Sequence, residues 1–334
     1  MKKNLELWTF IAKRLKTDKP VMLLTVVESS GSSPGRPGFK MAVDISGALC
    51  GSIGGGIMEV KLVELAKKRL ETASEKPFLK RQIHQKTASL DRSGMICSGQ
   101  QTILFTRLGP QDLKTASVLL RCLKKNRPAV LRLQSGVFQV LEDQKRALPV
   151  AFKRLQDHDF LFEENAGPQQ QLYIIGGGHC ALALSELMRK LDFYICLFDD
   201  RPGLSTLVKN RFVHEKRLLD NYESIGELIP SSQEAYVVVM TLGYRSDEIV
   251  LRRLLDKELK YIGVLGSSAK MAALLDNLRQ EGFPEVVLSR IHTPIGLKIN
   301  SRTPEEIAVS IAGEIIGVKN GAGKTVGRGT LHSI

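Results

Sequence analysis

The run LYIIGGGHCALALSELMRKL, residues 172–191, constrains this chain more than any other segment. A short, almost wholly apolar stretch passes straight into three glycines and then into a pattern with helical spacing, the order expected of a parallel strand buried on both faces. Gly176, Gly178 and Ala181 match G-x-G-x-x-A in that setting. Glycines at such a turn let backbone come close to a pyrophosphate, whose charge then rests on the helix N-terminus. The next strand, FYICLFDD, ends on Asp199 and Asp200, about 20 residues further on, where an acceptor for a ribose hydroxyl belongs. Arg201 follows them and could instead meet a phosphate. The same turn could also serve nothing but close helix and strand packing.

The alternation continues downstream. YVVVMT and YIGVLGS read as strands, and SDEIVLRRLLDKE, AKMAALLDNLRQEG and RTPEEIAVSIAGEIIGV as helices, the last opening on Pro304 and two acids. Strands and helices in this order imply a Rossmann-like, doubly wound parallel sheet of the α/β class. Ligands sit outside the carboxyl ends of such sheets, so the polar strand tips belong to one rim: Gly176, Gly177, Gly178, His179, Asp199, Asp200, Arg201, Thr241, Gly243, Gly266, Ser267 and Lys270. His179 lies inside the glycine loop, where its ring would face a bound group. Lys270 reads equally well as a solvated helix residue. Arg290 and His292 fall in RIHTPIGLKI, a segment stiffened by proline and glycine that could add a fixed charge and a titratable ring.

The first half reads as an α+β domain. LELWTFIAKRLK is helical; VMLLTVVE, Phe39 to Val43 and Ala48 to Ile53 are extended; Gly54 to Gly56 open a further helix. RQIHQ and QQTILFTRL flank the loop SLDRSGMICSG, and AVLRLQSGVFQVLED is a hairpin turning at Ser135-Gly136. The loop SSGSSPGRPG with Ser33, together with Gly55 and Glu59, could form a nest for an anion, although hairpin loops share that composition. Cys97 sits in a glycine-flanked loop that could present a thiolate to cofactor, sulfur donor or partner. Small and polar residues at 166–171 mark a linker between a domain at 1–165 and one at 172–320, with a flexible tail at 321–334.

A net charge of +13 would suit nucleic acid, an anionic cofactor or an acidic partner. No basic run is interleaved with stacking aromatics, which weakens the nucleic-acid reading. Five cysteines without C-x-x-C or paired Cys/His spacing argue against a disulfide framework and structural zinc, and no direct metal ligands are expected. The sequence offers no run of about 18 apolar residues for a membrane span, so a cytoplasmic protein is expected.

Several long segments resemble the xanthine dehydrogenase accessory factor family, XdhC/CoxI. They are VVESSGSSPGRPGFKMAVDISGALCGSIGGGIMEV, GMICSGQQTILF, LYIIGGGHCALALSELMRKLDFYICLFDDRP, YIGVLGSSAKMAALLDNLRQEG and RIHTPIGLKINSRTPEEIAVSIAGEI, in family order. The resemblance implies an XdhC/CoxI-type accessory domain followed by the Rossmann domain. It also implies a chaperone that binds molybdenum cofactor, as molybdopterin or its dinucleotide form, and protects it during sulfuration. The chaperone then inserts the cofactor into a xanthine dehydrogenase-type molybdenum hydroxylase. The implied partners are that hydroxylase and a cysteine desulfurase, with a homodimer as a further expectation. Departures from the family pattern fall at Leu242-Gly243-Tyr244, at Ser268, and at Ser98-Gly99 after Cys97. The residues by themselves leave open an NAD(P)-dependent oxidoreductase, since the same crevice would accept a nicotinamide dinucleotide.

Overall fold

A computed structural model describes residues 2–72, 76–83, 99–156, 159–167 and 170–321. The chain divides into two compact units, Met1–Pro168 and Gln169–Ile334.

In the first unit the elements run α1 (Lys2–Leu15), β1 (Val21–Ser30), β2 (Lys40–Asp44), β3 (Leu49–Gly51), α2 (Gly56–Glu71), β4 (Phe78–Ile83), β5 (Gln100–Leu108), α3 (Leu113–Lys124), β6 (Ala129–Gln134), β7 (Val137–Glu142), β8 (Val150–Gln156) and β9 (Asp159–Ala166). An antiparallel sheet of order β3-β2-β1-β5-β4 is covered on one face by α2. Its other face packs on α1, α3 and a second antiparallel sheet of order β7-β6-β9-β8. The buried Lys40 of β2 pairs with Glu164 of β9 and so ties the two sheets together. Strands β8 and β9 are absent from the sequence expectation. Their apolar residues are interleaved with charges, and β9 alternates only weakly between buried and half-buried positions.

The second unit runs β10 (Gln171–Ile175), α4 (His179–Lys190), β11 (Tyr194–Asp199), α5 (Ser205–Lys209), β12 (Glu215–Leu218), α6 (Ile225–Leu228), β13 (Ser232–Val239), α7 (Tyr244–Leu254), β14 (Leu259–Val264), α8 (Ser268–Gln280), α9 (Glu285–Leu288), β15 (Ile291–His292) and α10 (Pro304–Lys319). Its sheet has the order β12-β11-β10-β13-β14-β15 with every pairing parallel. The apolar runs LYII, YVVV and YIGV are explained by this arrangement, because both faces of the sheet are covered. One core holds Leu172 and Ile174 of β10 against α4 and α10; the other holds Tyr173 and Ile175 against α6, α7 and α8. Thr303 and Glu306 close a capping box at the start of α10, where Pro304 occupies the first turn. Helices cross from one face to the other between β10 and β13, which makes the carboxyl ends of those strands the topological switch point. Among the described residues no helix is long and apolar enough to cross a membrane.

His214, just before β12, sets part of the pH response of this unit. Its Nδ1 accepts from the Ile195 amide at 2.9 Å, its ring stacks on Tyr194 at 4.3 Å, and Arg189 lies against Nε2. Burial and then the Arg189 charge push its pKa from 6.5 down to about 4. Below pH 6.5 the unfolded chain takes up a proton that the folded ring refuses, so this contribution to stability falls between pH 6.5 and about 4. Urea unfolding across that range should therefore show a decline that is shallower in His214→Phe; equal slopes in the two proteins would refute it.

Candidate functional site: the glycine crossover of the parallel sheet

Each of the three glycines after β10 has a different task. Gly176 has φ +104°, and a Cβ there would run into the Met240 carbonyl, so the β10–α4 turn lies directly on the chain leaving β13. The Gly177 amide donates to Asp199 Oδ2 at 2.5 Å, and its carbonyl accepts from Thr206 Oγ1 at 2.5 Å. Gly178 is the N-cap of α4, and a Cβ at this position would meet nothing within 4 Å. No acceptor among the described residues takes the amide of Gly178 or of His179. The start of α4 therefore offers unpaired donors and open space, with His179 exposed beside them.

Asp199 does not reach outward to a ribose hydroxyl as its position suggests. It is fully buried, accepting from the Gly177 amide and from the Arg201 amide, Nε and Nη2 at 2.8, 2.9 and 2.6 Å. Burial pushes its carboxyl up, but these donors more than reverse the shift and hold it below the ordinary aspartate value. Asp199 and Arg201 thus lock the turn from beneath. Asp200 is the half-buried acid left at the strand end, with Oδ1 accepting from Tyr222 Oη at 3.1 Å.

Across the switch point, Thr241 Oγ1 and Lys270 Nζ both donate to Asp247, at 2.6 and 2.8 Å. Asp247 is fully buried in the first turn of α7, where Gly243 is the N-cap. Lys270 is thereby drawn from α8 toward the chain leaving β13. Sequence inspection missed Asp247, because an acid in a first turn signals a helix start and nothing more. Ser267 caps α8 by accepting the Lys270 amide at 3.3 Å and is exposed; Gly266 passes so close to Met271 that a side chain would displace it.

RIHTPIGLKI separates into two parts. His292 pairs with Gly263 at the carboxyl side of β15, and its Nδ1 lies 3.2 Å from Glu314. Arg290 does not join the rim: its Nη2 donates to the Lys257 carbonyl at 2.5 Å, before the start of β14 and so at the opposite end of the sheet. The Thr293–Pro294 peptide is cis.

In the first unit the proposed nest is filled by the chain itself. Glu59 Oε1 accepts from Ser52 Oγ, the Ile53 amide and the Gly55 amide at 2.7, 2.7 and 2.8 Å. Ser33 is buried and donates to Gln101 Oε1 at 2.8 Å, which also accepts the Gly35 amide at 3.0 Å. Ser33, Gly55 and Glu59 consequently hold their own loops together. Cys97 lies outside the described residues.

The sequence model of the XdhC Rossmann domain matches residues 172–315, and that of the XdhC and CoxI family matches residues 14–81. YqeB of Escherichia coli K12, described as uncharacterized, is 25% identical over 321 residues, covering 95% of this chain and 47% of YqeB. The chain thus spans about half the length of that relative. A Bacillus subtilis protein described as a probable xanthine dehydrogenase subunit is 22% identical over 330 residues, covering 92% of this chain and 96% of that protein. A crystal structure from Bacillus halodurans, described as a xanthine dehydrogenase, superimposes with a TM-score of 0.74 at 22% identity, covering 96% of this chain and 98% of its own, and so shares the fold. With both domain patterns matched in order and the glycine crossover formed where the Rossmann pattern puts it, the chain belongs to the XdhC and CoxI family.

Proposed function

We propose that this protein is an accessory factor of a xanthine dehydrogenase-type molybdenum hydroxylase, acting in the cytoplasm. It binds molybdenum cofactor as cargo in the crevice of its second unit, shields it during sulfuration by a cysteine desulfurase, and passes it to the hydroxylase. The observation that carries this reading is the open start of α4, where Gly178 leaves room for a ligand and two amides have no acceptor among the described residues. A phosphate of the cargo would rest there, with Lys270 and Ser267 on the same rim as further donors. Asp200, the one acid at this strand end that is not locked beneath the turn, would accept from a ribose hydroxyl of the dinucleotide form. Family membership and relatives described as xanthine dehydrogenase components support the choice of client.

The test is direct. The protein, purified from a host that makes molybdenum cofactor, should carry molybdenum and pterin together at a measurable fraction per chain. A preparation free of both overturns the reading. Turnover of NADH or NADPH with carbonyl substrates would assign the crevice to hydride chemistry instead.

A further inference from the structure

We infer that His292 is a ligand contact of the same crevice, accepting at Nε2 a hydrogen bond from the N–H edge of a pterin-type heterocycle, with Glu314 as the positioning residue that fixes its tautomer. The inference rests on the proposed function and adds to it which end of the cargo lies where.

Glu314 reaches the ring from α10 and is held on both oxygens. Its Oε2 accepts from Tyr261 Oη at 2.5 Å and from the Gly296 amide at 3.0 Å, while Oε1 lies 3.2 Å from His292 Nδ1. Tyr261 is itself buried and lies against the imidazole with ring centres 4.6 Å apart. Burial pushes the Glu314 carboxyl up, but His292, Tyr261 and the Gly296 amide outweigh it and keep the group a carboxylate, which can only accept. A carboxylate oxygen 3.2 Å from Nδ1 favours the neutral His292 tautomer that carries its proton there and leaves a bare lone pair on Nε2.

Nothing among the described residues donates to that lone pair. The neighbouring Thr293 Oγ1 is buried and also lacks a partner. Thr293 Oγ1 is thus a buried polar group left without a partner beside a network whose other members are paired, and such a group calls for a ligand or a water. β15 lies three strand spacings from β10, so His292 is roughly 14 Å from the glycine loop. One phosphate cannot touch both. A pterin attached to a phosphate or to a nucleotide can, with the anion at α4 and the heterocycle at β15.

Nitrogen-15 NMR of the histidines in the full-length protein, combined with fluorescence titration of 6-carboxypterin, tests this. In the wild type, Nε2 of His292 should be the unprotonated nitrogen, and its resonance should move on adding the probe. His292→Phe keeps the ring against Tyr261 but has no lone pair, and should weaken probe binding about tenfold. Glu314→Gln turns an amide toward Nδ1, so the proton should shift to Nε2 and affinity should fall similarly, with the double variant no weaker than either. A merely structural Glu314 would instead lower thermal stability and leave tautomer and affinity unchanged, which overturns the inference. So does an Nε2–H tautomer in the wild type. Undiminished probe binding by His292→Phe, in a protein that still carries molybdenum and pterin, overturns this contact and spares the function. A wild type that binds neither probe nor cofactor overturns both.

Discussion

Asp199→Ala is expected to destabilise the second unit by about 3–5 kcal/mol, because it removes one partner of a buried, fully hydrogen-bonded charge network. For a unit of this size that corresponds to a fall in unfolding temperature on the order of 10 °C. The carboxylate is wholly buried, and its loss strands the Gly177 amide and the Arg201 guanidinium together. Asp199→Asn should cost less, since one oxygen still accepts while the new amide faces a donor. Arg201→Met should cost least, because both backbone donors to Asp199 remain. The pH dependence has a fixed sign. The folded carboxyl titrates below its unfolded value, so its contribution is complete above the ordinary aspartate pKa of about 4 and vanishes as pH falls through the lower folded value. Thermal scans should thus show the gap between wild type and Asp199→Ala constant from neutral pH to about 4 and closing below it. A gap under about 1 kcal/mol at neutral pH would mean that Asp199 is not the lock of the turn.

What could be read from the sequence follows from how local each signal is. The parallel sheet was legible because LYII, YVVV and YIGV are continuous apolar runs, each followed by turn residues and a helical pattern. The hairpin at Ser135-Gly136 was legible for the same reason, with β6 pairing β7 across it. β8 and β9 carry KRLQ and EEN among their apolar residues and pair with each other and with β6 only through tertiary contacts. Roles that depend on distant partners were not legible. Glu314 and Tyr261 are 53 positions apart, Gln101 and Ser33 68 apart, and neither spacing is a pattern. The same applies to direction: Asp199, Asp200 and Arg201 follow one another in sequence, yet the first is buried under the glycine turn and only the second remains a strand-end acid. A strand terminus fixes where a side chain starts, and the donors around it fix where it goes.

Tryptophan substitutions at Gly178 and Gly176 should separate a ligand-holding glycine from a fold-holding one. At Gly178 the backbone is extended, with φ −69° and ψ −168°, a conformation any residue adopts, and the space beyond Cα is open. Gly178→Trp should therefore melt within about 2 °C of the wild type. The indole would fill the room proposed for the cargo, so on that proposal molybdenum and pterin per chain should drop at least about tenfold, a loss of some 1.4 kcal/mol or more in binding. At Gly176 the left-handed backbone costs a substituted residue about 1–3 kcal/mol before any clash. The Met240 carbonyl stands where the Cβ must go, and backbone cannot yield as a flexible side chain can. Gly176→Trp should lose cofactor by losing the second unit, seen as a large fall in its melting temperature, and even Gly176→Ala should be clearly destabilised. A Gly178→Trp protein that keeps its full complement of molybdenum and pterin would place the cargo elsewhere on the molecule.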